Sequence, residues 1–330
     1  MPNLVKLFDF FVFFLIIRRK IIIFKIMKAK HIKVGGGITR EVIMGNDLPF
    51  TLISGPCQLQ SRDLAMKIAE YMTKLTEKLG IQYIFKASFD KANRNSINGA
   101  RGVGLEEGMK IFDEIRKTFG TPVLTDVHTN EQPAIVAPHV DMLQQPAFMI
   151  RQTDLSIAIA KTGKPCNLKK AQFMAPQDMK NIIGKYESVG NDQLTLVDRG
   201  TCFGYGDLII DPRSIVTMAQ TGYPVVIDAT HGVMQPAGLG SESTGQANMA
   251  PYIARSSLSS GLVSAVFIET HPQPLEGGSD KHTMIPLMYM EELLKQWQEI
   301  DHVCKENQSR FEDWDQNGMP IDEILKKAKF

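Results

Sequence analysis

An α/β fold of the (β/α)8 TIM barrel class, preceded by a β-hairpin, is what this 330-residue sequence predicts. Three observations carry that reading. Eight short runs rich in β-branched residues recur along the chain, most of them followed by an amphipathic helical pattern. The length suits one barrel better than one ordinary domain. Nearly every run also ends on a residue able to ionise, bind phosphate or ligate metal, and barrels collect their chemistry at the C-terminal ends of their strands. A doubly wound open sheet with extra strands is the alternative architecture.

The elements follow in order. Residues 1–26 do not match the rest: "LFDFFVFFLII" is apolar but short, and "RRK" interrupts it. A spanning helix needs roughly 20 continuous apolar residues, and a secretory signal places its charges before the apolar run. The preferred expectation is that translation starts at Met27, with a membrane tether or an ordered helix as alternatives. Residues 27–303 form the barrel domain with its hairpin, which "HIKVGGGITREVIMG" encodes as two β-rich runs around a Gly turn. The barrel strands are expected at Phe50–Cys57, Tyr83–Phe89, Pro122–His128, Asp141–Phe148, Cys166–Phe173, Leu194–Gly200, Pro224–His231 and Ala265–His271. Between them, "SRDLAMKIAEYMTKLTEKLG" places Leu64, Ile68, Met72 and Leu75 on one helical face and stops on Gly80. "LEEGMKIFDEIRKTFG" repeats that design, and a further helix starts on Pro176 and ends at Gly190. Residues 304–330 read as a charged tail.

Composition narrows the function classes. Hydrophobic residues make up 43% and charged residues 22%, enough apolar material for a sizeable core. The net charge of +1 argues against a nucleic-acid or membrane-surface footprint, while leaving room for a local basic pocket. Cys57, Cys166, Cys202 and Cys304 lie far apart with no CxxC, which reads as reduced thiols of a cytoplasmic protein.

The strand ends supply Cys57, Lys86, Asp126 with His128, Gln144, Lys169 with Lys170, Asp198 with Arg199, Asp228 with His231, and Glu269 with His271. One charge leaving a strand is most often a solvated loop residue. A whole ring of them on otherwise apolar strands is costly unless they line a pocket together. Lys86, Lys91, Arg94, Lys169 and Arg199 would hold two phosphorylated substrates or one highly anionic one, Arg in bidentate fashion and Lys as point charges. Cys57, His231, Glu269 and Asp280 offer a thiolate, an imidazole and two carboxylates, a set that suits a divalent zinc, iron or manganese ion. Asp126 and His128 are candidate proton carriers or hydrogen-bonded supports.

At "FKASFDKANRNS" the chain resembles the 3-deoxy-D-manno-octulosonate 8-phosphate synthases. "GPCQLQSRD", "GLEEGMKIF", "TDVH", "QPAF", "RQTDL", "AKTGKP", "KKAQF", "DRGTCFGYGDL", "DATH" and "FIETHPQP" extend the likeness from about Gly45 to Asp301. The resemblance implies condensation of phosphoenolpyruvate with arabinose 5-phosphate by a cytoplasmic homotetramer that serves lipopolysaccharide precursor synthesis. It implies that Lys91, Lys169 and Arg199, helped by Lys86 and Gln144, hold phosphoenolpyruvate. Asn93 and Arg94 would hold arabinose 5-phosphate, with Arg94 reaching a neighbouring subunit's pocket. Lys91, Asp126, His128 and His231 would take part in the chemistry. Cys after "GP" marks the metal-dependent class, with Cys57, His231, Glu269 and Asp280 as ligands. Gln60, Asn95 and Ala247 stand where the family usually has Glu, Ser and Arg. A Schiff-base aldolase using Lys86 or Lys169, and a non-catalytic anion-binding barrel, are the competing readings.

Overall fold

The computed structural model describes residues 29–92, 97–236, 244–307 and 318–328. Lys28–Glu306 forms one compact unit. It opens on the expected hairpin: β1 (Ile32–Gly35) pairs antiparallel with β2 (Glu41–Met44). Gly35, Gly36 and Gly37 turn the chain with φ of 85°, 99° and 69°, a region that side chains other than glycine rarely enter.

The main sheet follows as β3 (Thr51–Gly55), β4 (Tyr83–Lys86), β5 (Val123–Asp126), β6 (Met142–Gln145), β7 (Cys166–Lys169), β8 (Leu194–Asp198) and β9 (Val225–Asp228). A two-strand ribbon, β10 (Met234–Gln235) and β11 (Thr244–Gly245), precedes β12 (Val263–His271) and the short β13 (Ile285–Pro286). Strands β3 to β9 pair parallel in sequence order, and β12 pairs parallel with both β3 and β9. That double pairing closes the cylinder and rules out the open doubly wound sheet. Seven of the eight predicted strands contain the observed one, most of them running a few residues long at the end, while β12 starts two residues before the predicted Ala265. The C-terminal residues of those runs belong to the loops that carry the chemistry.

Helices α1 (Arg62–Leu79), α2 (Leu105–Phe119), α3 (Gln132–Val136), α4 (Thr153–Ala160), α5 (Met179–Glu187), α6 (Pro212–Ala219), α7 (Ala250–Leu258) and α8 (Met290–Glu306) follow the eight barrel strands in turn. α1 is capped as its sequence directs. The Ser61 hydroxyl accepts from Leu64 N at 3.3 Å, and Gly80 ends the helix in the left-handed region at φ 69°. Ile68, Met72 and Leu75 are buried, and Leu64 packs at their edge. The helix expected from Pro176 begins later, at Met179, because Pro176–Asp178 winds as a 3-10 turn.

Two apolar layers result. Outside the sheet, one core joins strands to helices. Inside, Ile53, Ile84, Leu124, Met142, Val197, Val226, Ala265 and Phe267 fill the barrel together with Val34, Val42 and Met44 of the hairpin. The hairpin covers the N-terminal end: Arg40 N donates to Gly120 O (2.8 Å), Gln82 Oε1 accepts from Ile43 N (2.8 Å), and Asn46 bonds Tyr223 O and Val225 N. A plugged floor leaves the C-terminal mouth as the open end.

The last barrel helix is anchored by charge as well as packing. Asp301, 2% exposed, accepts from Phe50 N at 2.9 Å and pairs with Lys305 Nζ at 2.8 Å. Lys305 also donates to Val263 O at 2.8 Å. Asp301→Ala removes the carboxylate from a largely buried ammonium and leaves the Phe50 N–H without its acceptor, and is expected to lower the unfolding free energy by about 3 kcal/mol. Urea denaturation checks this, and a loss under about 1 kcal/mol would mean that the pair does not anchor α8. A separate unit contains a further helix, α9 (Ile321–Ala328), within the charged tail. Residues 1–26 lie outside the described residues.

Candidate active site

Strand periodicity puts the polar residues into one mouth. Side chains alternate between the two faces of a strand. The interior residues Ile53, Ile84, Leu124, Met142, Val226 and Phe267 are therefore each followed, two positions on, by Gly55, Lys86, Asp126, Gln144, Asp228 and Glu269. Register brings them level: Glu269 pairs with Gly55, Phe267 with Asp228, and Asp126 with Gln144. Gly55 is required by space, since a Cβ there would lie 2.2 Å from Lys86 O.

The mouth holds a compact donor cluster. One ligand atom each from Cys57, Glu269 and Asp280 lies within 4.8 Å of the others. His231 Nε2 lies 3.7 Å from Glu269 Oε1 and 3.6 Å from Asp280 Oδ2. The Cys57 thiol donates to Asp280 Oδ2 at 2.9 Å. Burial, then the Asp280 and Glu269 charges, push that thiol well above its ordinary range. Both Glu269 oxygens are buried with no hydrogen-bond donor among the described residues, an expensive condition for a carboxylate. Asp280 is the one non-glycine residue with positive φ, 48°, among the described residues. Such strain survives only where the surroundings enforce it. On the far side of the imidazole, His231 Nδ1 is 2.8 Å from Asp228 Oδ2, close enough for an ion pair though off the line of a hydrogen bond. Asp228 Oδ1 accepts from His231 N at 2.9 Å. A carboxylate behind an imidazole fixes the ring and raises its basicity, as in metal-binding triads. These four side chains could hold a divalent cation that satisfies the orphaned Glu269 oxygens and takes the thiol as thiolate.

Beside it lies a cationic wall. Lys86, Lys91, Lys169 and Arg199 are 2%, 8%, 4% and 5% exposed. Lys86 Nζ donates to Ser88 Oγ (3.2 Å) and lies 3.5 Å from Glu269 Oε1. Lys169 Nζ donates to Asp228 Oδ2 and sits 4.2 Å above the Phe267 ring. Burial pulls Lys169 below the usual lysine range, with Asp228 opposing. For Lys91, burial acts downward but the attraction of Glu269, Asp126 and Asp280, and of Cys57 once it is a thiolate, prevails, and the ammonium is held charged. Arg199 Nη1 is buried without a hydrogen-bond partner among the described residues, while Nη2 contacts Met234 Sδ at 3.2 Å. Gln144 Oε1 accepts from Asn167 Nδ2 (3.0 Å), whose Oδ1 accepts from Thr195.

A proton-carrying row runs along the neighbouring rim. Ser88 Oγ donates to Asp126 Oδ1 (2.5 Å), and Asp126 Oδ2 meets His128 Nε2 at 3.0 Å. Burial works against the Asp126 charge, but Lys86, His128 and Lys91 hold its carboxyl well below the usual range. His128 Nδ1 is buried and has no partner among the described residues. The structure thus brings together Cys57, Lys86, Asp126, His128, Gln144, Lys169, Arg199, His231 and Glu269 from the strand ends, with Lys91 and Asp280 from loops. Asn93, Arg94 and Asn95 lie outside the described residues.

The profile of the DAHP synthetase I family matches residues 25–306. The chain belongs to this family. Within it, the 2-dehydro-3-deoxyphosphooctonate aldolase of Shewanella oneidensis is 49% identical over 279 residues, which span 84% of this chain and 97% of that protein. Aldolases of the same name from Shewanella sp. strain ANA-3 and Shewanella baltica strain OS155 are each 50% identical over 265 residues, 80% of this chain and 94% of theirs. The chain is thus a member of the 2-dehydro-3-deoxyphosphooctonate aldolase branch, the synthases its motifs resemble under their other name.

Against that family background, two departures have places in the structure. Gln60 is exposed and donates from Nε2 to Glu276 O at 3.0 Å, so it faces the loop leading to Asp280. Ala247 opens a 3-10 turn, and its N–H bonds His282 O at 3.1 Å. Two participants carry no role from sequence: Ser88 is not singled out there, and Asp228 stands only among the strand ends. Ser88 links Lys86 to Asp126, and Asp228 holds both Lys169 and His231. Ser88 falls on the same alternating row as Lys86, so a strict period-2 reading would have found it. The other cysteines stand apart from the cluster: Cys166 donates to Lys164 O, Cys202 is exposed and Cys304 is partly buried.

Proposed function

We propose that this protein condenses phosphoenolpyruvate with D-arabinose 5-phosphate and water to give 3-deoxy-D-manno-octulosonate 8-phosphate and inorganic phosphate, in the cytoplasm, as a step toward lipopolysaccharide core. It does so as a homotetramer with a bound divalent zinc, iron or manganese ion. One observation carries the reading: the buried cations at the mouth include a guanidinium whose Nη1 has no hydrogen-bond partner among the described residues. Four cations (Lys86, Lys91, Lys169, Arg199) face four carboxylates (Asp126, Asp228, Glu269, Asp280). A divalent ion on Cys57, His231, Glu269 and Asp280 offsets the acids there and leaves the lysines and Arg199 positive for phosphate and carboxylate oxygens.

The reaction joins C3 of phosphoenolpyruvate to the pentose aldehyde carbon. Water adds to C2, and phosphate leaves as the resulting hemiketal phosphate collapses. Lys91, Lys169 and Arg199, with Lys86 and Gln144, fix phosphoenolpyruvate by its charged ends, away from the reacting carbons. Asn93 and Arg94 take the sugar phosphate, Arg94 from a neighbouring subunit. Positioning of this kind supplies on the order of 7–11 kcal/mol in favourable cases. The Asp126–His128 pair stands ready to accept and return the water proton, with His128 Nδ1 free to carry it. A divalent ion held by Cys57, His231, Glu269 and Asp280 would supply Lewis acidity at this end of the mouth. Among the described residues no helix is long and apolar enough to cross a membrane.

The decisive experiment mixes the protein with both substrates and a divalent metal and measures released phosphate. Release that depends on both substrates is expected, and hydrolysis of phosphoenolpyruvate alone would overturn the condensation. Arg94→Ala is expected to raise the KM for arabinose 5-phosphate about 10- to 150-fold, the weight of one charged hydrogen bond, with a much smaller change for phosphoenolpyruvate. Equal weakening of both would remove Arg94 from the sugar-phosphate site.

A further inference from the structure

Cys57 and Asp280 are far apart in sequence, yet their ligand atoms meet at 2.9 Å. What sets that separation is visible close to each in sequence. Gln58, next to Cys57, is 2% exposed and forms a parallel bridge to Ser88 that ties it to the second barrel strand's loop. Its amide reaches toward the Asp280 loop. A Cβ at Gly278, two residues before Asp280, would lie 2.0 Å from Gln58 Oε1 and 3.1 Å from its Cδ. The amide therefore occupies the space that any side chain at 278 would need. On its other flank, Nε2 would lie 3.3 Å from a Cβ at Gly102. Gln58 Oε1 is buried and has no hydrogen-bond partner among the described residues, so no hydrogen bond through that oxygen holds it against Gly278. Gln60 adds a second touch on the same loop, its Nε2 bonding Glu276 O at 3.0 Å.

The far side of the loop is held equally closely. Asp280 O accepts from Thr283 N (3.0 Å) and Met284 N (3.2 Å), and a Cβ at Gly245 would lie 2.4 Å from Thr283 Cγ2. Asp280 itself is held at φ 48°. A carboxylate ligand on a loop so wedged has little freedom to seek the cation, and its position follows the wedge.

We propose that Gln58 and Gly278 form a spacer that sets the distance between Cys57 and Asp280 and thereby the affinity of this site for a divalent cation. Both act as positioning residues through the two ligands. The inference rests on the metal reading above. Residues behind metal ligands commonly change affinity by about 10- to 100-fold when altered.

The test uses the full chain and zinc alone, with Kd read by competition against a chromophoric chelator. Gly278→Ala drives a methyl into the Gln58 amide, and Gln58→Ser removes the wedge. Each is expected to weaken zinc by on the order of tenfold. In the double variant the methyl fills the vacated space, and Kd is expected to return to within about threefold of wild type, a compensation that independent defects do not show. Wild-type Kd in either single variant, or a double variant weaker than both, overturns the spacer. If Gly278→Ala does not fold, Gln58→Ser alone decides. Wild-type protein that takes up no zinc, manganese or iron overturns the metal reading and the spacer with it.

Discussion

Arg199→Ala is expected to lower kcat/KM for phosphoenolpyruvate by on the order of 10²–10³, corresponding to about 3–4 kcal/mol of lost transition-state stabilisation. The magnitude follows from the environment. Arg199 is 5% exposed, and burial lowers its pKa, with Asp228, Asp280, Glu269 and Asp198 opposing. A guanidinium kept in such a place with no partner for Nη1 among the described residues is poised for an anion, and two charge-assisted hydrogen bonds to one phosphate or carboxylate would account for the whole effect. Arg199→Lys is expected to recover a minor part, because a point charge cannot reproduce the planar fork. Steady-state kinetics with each substrate varied separately make the measurement. A change under tenfold, or one expressed only against arabinose 5-phosphate, would place the phosphoenolpyruvate anion elsewhere.

Exhaustive chelation is expected to abolish turnover, and zinc, manganese or iron to restore it. Cys57→Ser is expected to weaken metal binding by at least an order of magnitude, since a hard hydroxyl replaces a thiolate and affinity falls with each lost ligand. Alanine at His231, Glu269 or Asp280 is expected to lower metal content likewise. Alanine at Cys166, Cys202 or Cys304 is not, for none of these belongs to the cluster. Cys57→Asn is expected to retain some metal-free activity, because the family resemblance implies that Asn stands in this place in the metal-independent class. The thiol's raised pKa sets a further condition: burial and the two carboxylates resist the thiolate, so the cation must supply the compensating charge. Full activity after chelation, with no metal by elemental analysis, would refute the metal reading and leave the condensation intact.

Much of this site was legible because a barrel strand is a simple object. Its side chains alternate, its interior half is apolar, and its last interior residue opens on the mouth. Lys86, Asp126, Gln144 and Lys169 are that last residue on their strands, Glu269 stands two residues before the end of β12, and Cys57, His128, Arg199 and His231 follow their strands within three residues. Strand ends were less legible. The runs continue as β-rich sequence past the point where pairing stops, so Cys57, His128 and Arg199 sit in loops rather than strands. Asn93 was readable only through likeness to a family, because no periodic signal in the sequence marks it.

The sequence by itself determined the fold class, the hairpin, the eight strands and the set of chemical groups at their ends, since these rest on local periodicity and on capping residues such as Ser61 and Gly80. Only the tertiary structure decided closure, which needs β12 to pair with both β3 and β9 across the length of the chain. It alone decided who meets whom within the mouth. Asp228 serves Lys169 and His231 together, Glu269 is left without a donor among the described residues, and Gln58 lies against Gly278. Such pairings depend on strand register and loop packing between residues distant in sequence, and no local pattern of side chains encodes them.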